Sequence, residues 1–312
     1  MNSLSKRNVW IFGATGYIGS ALLHHLSKDK TNRIHLLVHK RIPFRFLESF
    51  NTITGSLSAF DPLWFERYPP DVIFHLARPA GSSTIARSIR SSQGEKANQR
   101  LVEIVSGRND SPIVVYVSGS LMYGRRSIDD PADEKSPLQP DSFGRHYIKN
   151  ENPWLEAQKQ GHIDVRFARP GWITGPGSWF AHFFWKPFQE TGRVPCYGDG
   201  SHPMSVIHVE DGAAMTDALS RFGEKGQNLN LFAGDIITHR QFCDTLAGIL
   251  GTTTMDVPYS VMKKRFGEAT ANALVSSTPL KTLYPDIHKK AKINYPKVEN
   301  VLRHVTGLLK NV

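Results

Sequence analysis

The chain has 312 residues, 40% of them hydrophobic, with a formal net charge of +10 and no low-complexity tract. That length supports a substantial core in one large domain or two interleaved ones, and apolar runs no longer than "IVVYV" (113–117) are too short to span a bilayer. The basic residues are dispersed and accompany no nucleic-acid-binding motif, so the charge reads as a solvated surface or a field for an anionic small molecule, not as nucleic-acid binding.

The run "NVWIF" (8–12) leads straight into a glycine turn, so it reads as a first strand and not as a signal peptide. Further strand-sized apolar runs stand at 34–38, 71–77, 113–118 and 164–170. Helical patterns separate them, such as Ile18, Leu22 and Leu26 at i, i+4 spacing. Short buried strands alternating with helices predict an α/β fold, a Rossmann-type doubly wound parallel sheet. From Gly171 the texture changes to glycine, proline and aromatics. A short strand and helix are expected over 205–219, a strand over 227–234 and a helix over 238–251, followed by a basic, mainly helical C-terminal region. Cys196 and Cys243 are the only cysteines, which implies no disulfide framework and a reducing cytoplasm as the default location. His182, His202 and His208 show no metal-ligand spacing, and no metal is expected.

The first strand-to-helix junction, "GATGYIG", places Gly13, Gly16 and Gly19 where a chain must turn tightly and let its backbone approach a phosphate. The N–H groups at the start of the helix then face a pyrophosphate, with Thr15, Tyr17 and Ile18 alongside the glycines. The second strand closes on His39, Lys40 and Arg41 with no acid, which suits the 2′-phosphate of NADPH better than the 2′-hydroxyl of NADH.

With these residues the chain resembles the extended short-chain dehydrogenase/reductase family, in an atypical form. "DVIFHLA", "KANQRLVEIV" with Asn98, "VVYVSGSLMYG", "RFARPGWITGPG" and "GDGSHPMSVIHVEDGA" follow the cofactor turn in the family's order, over roughly residues 8–255. The resemblance implies a dinucleotide-binding domain over 1–171, to which 205–234 returns, and a smaller, mainly helical substrate domain from 172–204 and 235–312. It also implies cofactor contacts from Ser56 and Leu57 near the adenine, from Leu76, Ala77 and Arg78 after the fourth strand, and from Pro170, Gly171, Trp172 and Ile173 at the nicotinamide. Relatives of this kind also imply a homodimer.

The family's Tyr-x-x-x-Lys pair maps onto "FGRHY", where Phe143 replaces the tyrosine and Tyr147 the lysine. A phenyl ring donates no proton, so the usual acid is missing. Reading the motif from Tyr147 instead places Glu151 where the lysine belongs. Ser118, Ser120, Tyr123 and Tyr147 remain as candidate catalytic hydroxyls; Gly119 stands where several relatives carry theirs. Met204 occupies the place of an arginine that clamps a diphosphate in sugar-nucleotide enzymes.

Seven large aromatics lie between 172 and 188. Part of that set is core, and the excess suggests a pocket for a flat apolar ligand formed by Phe143, Trp179, Phe180, Phe183, Phe184 and Met204. The expected function is an NADPH-dependent reductase of a small aromatic or polycyclic carbonyl, quinone or imine that works without the Tyr/Lys pair. A non-redox isomerase, lyase or cyclase is the alternative, and a nucleotide-sensing protein without turnover ranks third.

Overall fold

The computed structural model describes residues 6–39, 42–78, 84–141, 144–276 and 278–311. Twelve strands are present among them: β1 Arg7–Phe12, β2 Asn32–Val38, β3 Asn51–Thr54, β4 Val72–His75, β5 Ile113–Val117, β6 Asp164–Pro170, β7 Trp172–Thr174, β8 Val194–Tyr197, β9 Pro203–His208, β10 Leu229–Leu231, β11 Ile236–Thr238 and β12 Thr254–Val257. The helices are α1 Tyr17–Ser27, α2 Phe44–Ser49, α3 Leu63–Arg67, α4 Thr84–Ser106, α5 Arg145–Gln160, α6 Lys186–Thr191, α7 Val209–Phe222, α8 His239–Leu250, α9 Tyr259–Phe266, α10 Glu268–Leu274, α11 Pro285–Ala291 and α12 Val298–Lys310. None of the described helices is long and apolar enough to cross a membrane.

Seven strands form one sheet in the order β10-β6-β5-β4-β1-β2-β3, every pairing parallel. β1, β4 and β5 are apolar on both faces because helices cover both, as a doubly wound parallel sheet requires. One core lies under α1 and α7, built on Val9, Ile11, Leu22, Leu26, Val72 and Leu219. The other lies under α4 and α5, with Trp10, Phe12, Leu101, Val114, Trp154 and Phe167. On α4, buried Ser91, Gly94, Ala97, Asn98, Leu101 and Val105 recur every three or four residues, the stripe of a helix with one face on a sheet. The chain runs outward from β1 through β2 to β3 and then crosses back to β4 on the other side of β1, so the strand order reverses at β1 and a crevice opens at the C-terminal ends of β1 and β4.

The second domain has its own core of Phe180, Phe184, Tyr197, Val206, Phe242 and Leu302. It rests on two small sheets, β11-β9-β7 and β12-β8. The strand expected from residue 205 is β9, and it joins a small sheet, not the large one; β10 is the strand that returns to β6. The C-terminal segment also differs from the expected division. Ile287 of α11 is buried in the nucleotide-domain core, with Tyr284, Ala291 and Ile293 packed against it. α11 thus packs on α7 and adds apolar cover to the core of the large sheet.

Candidate active site

Gly13 sits at φ +91°, and a Cβ there would come 2.8 Å from the Ala77 nitrogen. A Cβ on Gly19 would lie 2.0 Å from the Gly13 carbonyl oxygen, so α1 can rest on the turn only if residue 19 has no side chain. This cradle opens into a cavity of about 940 Å³ at the ends of β1, β2, β3 and β4. Gly13, Thr15, Gly16, His39, Ser56, Leu57, Leu76, Ala77 and Arg78 line it. α4 adds Arg90, Gln93, Gly94, Lys96, Ala97 and Asn98. Among the described residues that line it there is no aspartate or glutamate, whereas three cationic side chains are present. Glycine cradle, helix N-terminus and positive walls together fit a dinucleotide with its pyrophosphate.

The other expected cofactor contacts either do not line this cavity or are not among the described residues. Lys40 and Arg41 fall outside the described residues. Ile18 and Gly19 are in α1 behind the turn. Tyr17 leans away from the cavity toward the loop after β7, where a Cβ on Gly175 would meet its hydroxyl at 2.2 Å. Burial, opposed by nearby Ser178, pushes that phenol up to about 12. Pro170, Gly171, Trp172 and Ile173 end β6 and run through β7; Gly171 N–H donates to the Leu231 carbonyl at 2.9 Å, and none of the four lines the cavity. Sequence reasoning does not single out Arg90, Gln93, Gly94 and Lys96, although 90, 93, 94 and 97 share the face that carries Asn98 in a helix read from this stretch.

Asn98 links three elements. Its Oδ1 lies 2.7 Å from His75 Nε2, and its Nδ2 donates to the Asn150 carbonyl at 2.8 Å. This holds the start of α5 against β4, with His75 kept neutral by burial at a pKa of about 4.

The candidate hydroxyls are not brought together. β5 ends at Val117, and a one-turn 3-10 helix starts at Ser120, so strand alternation does not relate Ser118 to Ser120. Ser118 Oγ donates to Glu151 Oε2 and accepts from Arg169 Nη1 at 3.0 Å. Arg169 Nη2 also donates to Glu151 Oε1. All three side chains are buried. Ser118 is thereby part of an internal ion-pair network and is not offered to a substrate. Tyr123 is 2% exposed, donates to Asn230 Oδ1 at 2.8 Å, and has its phenol pushed up by burial. Ser120 is nearly buried, and its hydroxyl makes no hydrogen bond among the described residues. Tyr147 lies half-buried in the first turn of α5, with the Arg78 guanidinium 4.7 Å from its ring centroid. One turn further on, the side chain is the Glu151 carboxylate held by Arg169, not an ammonium. Phe143 lies outside the described residues.

The expected aromatic pocket is largely core. Phe180, Phe184 and Met204 are at most 1% exposed, and Phe184 packs on Phe242 and Tyr197 at ring distances of 5.2 and 5.6 Å. Short elements carry this domain, and bulky rings fill the space between them. Phe183 and Trp179 keep partial exposure, and Trp179 Nε1 donates to the Ile173 carbonyl at 2.6 Å while its ring meets Trp172 edge-on at 4.5 Å.

Fold and cavity define a Rossmann protein of the nicotinamide-dinucleotide type. The chain belongs to the NAD dependent epimerase/dehydratase family, whose model matches residues 9–231. No curated protein sequence matches it. Solved structures similar to it include the human epimerase family protein SDR39U1 (isoform 2) with NADPH, at 21% identity and a TM-score of 0.76 over 96% of this chain and 99% of that one. The dTDP-glucose 4,6-dehydratase of Bacillus anthracis in complex with NAD matches at 17% identity and a TM-score of 0.77, over 98% and 97%. A point mutant of UDP-glucuronic acid 4-epimerase from Bacillus cereus, with NAD and a fluorinated UDP-sugar, matches at 19% identity and a TM-score of 0.74, over 97% and 99%.

Proposed function

We propose that the protein is an NADPH-dependent reductase of a small aromatic or polycyclic carbonyl, quinone or imine. The observation that carries this reading is the glycine-floored cavity walled by Arg78, Arg90 and Lys96 without a carboxylate. An acid at the end of β2 would repel a 2′-phosphate; His39 stands there instead. When bound, the nicotinamide supplies a hydride. The chain's part is to bind and orient: the Gly13–Gly19 turn seats the pyrophosphate, and the Asn98 bridge sets α5 beside it. On this reading Ser120 or Tyr147 polarises an oxygen. Neither has a lysine one turn away, so the best substrates are those that accept hydride to give a stabilised anion, such as a phenolate or enolate. Trp172 and Trp179 provide flat apolar surface, and core-bound Met204 provides no clamp for a diphosphate. A small molecule, not a nucleic acid, is the substrate on this reading.

The engaged state of Ser118 and the carboxylate at 151 favour one second reading: a non-redox isomerase, lyase or cyclase that retains the cofactor site. Calorimetric titration of the purified protein with NADPH and with NADH separates the two. NADPH binding at least about tenfold tighter, a difference of about 1.4 kcal/mol, followed by its oxidation with quinones or aromatic ketones, is the expected result. Equal affinities refute the NADPH assignment, and tight binding without oxidation of the cofactor by any of these acceptors favours the second reading.

A further inference from the structure

The two cysteines, 47 positions apart in the sequence, meet inside the second domain. Cys196 lies on β8, and His239 and Cys243 stand one turn apart on α8. One donor atom from each lies within 4.8 Å of the other two, and all three residues are buried. Cys243 Sγ is 3.5 Å from His239 Nε2. Metal–ligand bonds of about 2.3 Å to sulfur and about 2.0 Å to nitrogen at a tetrahedral angle give an edge of about that length.

The imidazole is also in the right form. Nε2 accepts the Tyr197 N–H at 3.0 Å, so that nitrogen carries no proton. The proton is on Nδ1, which faces Met204 Sδ at 3.3 Å. A ligating histidine turns an unprotonated nitrogen toward the ion and has its other N–H held by an acceptor; here the Nε2 lone pair is engaged by the Tyr197 N–H, so an ion takes Nε2 only by displacing that bond. The Cys243 thiol donates to the Pro195 carbonyl at 3.4 Å, which places a hard fourth donor beside the trio. Gly200 closes over the group, since a Cβ there would be 3.0 Å from Cys196 Sγ.

We propose that Cys196, His239 and Cys243 bind a thiophilic divalent cation of the zinc(II) class, pinning β8 to α8. Two thiolates neutralise a doubly charged ion, so the complex suits a buried position; a monovalent soft ion would leave a net negative charge there. Binding replaces two S–H bonds by two metal–sulfur bonds and releases two protons, M²⁺ + 2 Cys-SH → M(S-Cys)₂ + 2 H⁺. The Tyr197 N–H gives up its bond to Nε2 in the loaded form. The site is separate from the dinucleotide cavity and does not depend on the proposed reductase activity.

The test is a cobalt(II) titration of the reduced, metal-free full chain, read by absorption, with proton release measured in weak buffer. The expected result is one ion per chain, a thiolate-to-cobalt charge-transfer band, about two protons released per ion, and displacement of cobalt by Zn²⁺ with a rise in melting temperature. The double variant Cys196→Ala/Cys243→Ala loses the band and the rise. If that variant does not fold, the wild-type titration decides alone. Failure to bind one equivalent by a chain whose two thiols both react after unfolding overturns the site, as does binding without a thiolate band.

Discussion

Removing the Glu151 carboxylate is the sharpest test of how the family's active-site strand is used in this chain. Glu151 and Arg169 have side chains 2% and 1% exposed, and Arg169 is wedged between the rings of Phe167 and Tyr123 at 5.1 and 5.5 Å. Glu151→Ala leaves a buried guanidinium with one hydroxyl, Ser118, and two ring faces. Breaking one side of such a pair costs about 3–5 kcal/mol, and the ring contacts return at most about 2 kcal/mol and are already present in the wild type. Against a total stability of about 5–15 kcal/mol, this is a fifth or more, and a drop in Tm on the order of 10 °C follows. Replacing both partners, Glu151→Leu with Arg169→Met, restores most of it, because no charge is left buried. Ser118→Ala costs less, about 1–3 kcal/mol for the hydrogen bonds it removes. The assay is urea unfolding followed by circular dichroism, run as a double-mutant cycle. A Glu151→Ala variant within about 1 kcal/mol of wild type would show that the network holds nothing together, and would return Ser118 to the catalytic candidates.

Gly19→Ala sets a methyl 2.0 Å from the Gly13 oxygen, a backbone atom that no rotamer change can move aside, so nucleotide affinity measured by NADPH fluorescence falls at least about tenfold; unchanged affinity refutes the cradle. Phe184→Ala costs about 3–5 kcal/mol of stability with little effect on substrate KM, while Trp179→Ala does the reverse, and an interchange of these phenotypes would put Phe184 in the pocket. His35, His75 and His208 are each held down to about 4, chiefly by burial. Unfolded imidazoles titrate near about 6.5, so the unfolded chain binds the extra protons, and stability, full above that pH, falls as pH drops toward 4. Each contributes a slope of up to about 1.4 kcal/mol per pH unit, and a urea midpoint that stays level from pH 7 to 5 contradicts it. Among NADPH oxidants, turnover follows the acidity of the reduced product, quinones above aryl ketones above aliphatic ketones; an aliphatic ketone reduced as fast as a quinone would require an efficient proton donor that Ser120 and Tyr147 do not supply.

Strands β1, β2, β4, β5 and β6 are legible in the sequence because a doubly covered strand must be apolar on both faces, which leaves an uninterrupted run. The same reasoning recovers the glycine turn and its cavity. β7, β8, β11 and β12 are not legible, since three or four residues carry too little pattern and "VPCY" resembles a loop. The return of Ile287 to the first domain has no local signal at all. Ring density from 172 to 188 is ambiguous for a physical reason: a domain built from short elements needs large side chains to reach across it, and a flat-ligand pocket needs the same residues. Only burial separates Phe180 and Phe184 from Trp179. In the same way, the spacing marks 143, 147 and 151 as altered, but what Glu151 does depends on Arg169, which a different strand supplies.

The altered positions are coupled by charge. The site has not lost its cations; it holds Arg78, Arg90 and Lys96 on the cavity wall and Arg169 inside. What differs is their use. Arg169 is consumed by Glu151, and Arg78 lies over the face of Tyr147, where it interacts with the ring quadrupole and does not occupy the place of an ammonium one turn along α5. A guanidinium stays protonated throughout the working range of an enzyme and cannot shuttle a proton as a lysine or histidine can. The remaining cations therefore serve anion binding and ring placement. On the reading proposed above, such a site holds a dinucleotide and aims a flat substrate at it, and the reaction it accelerates is one that asks little of proton transfer.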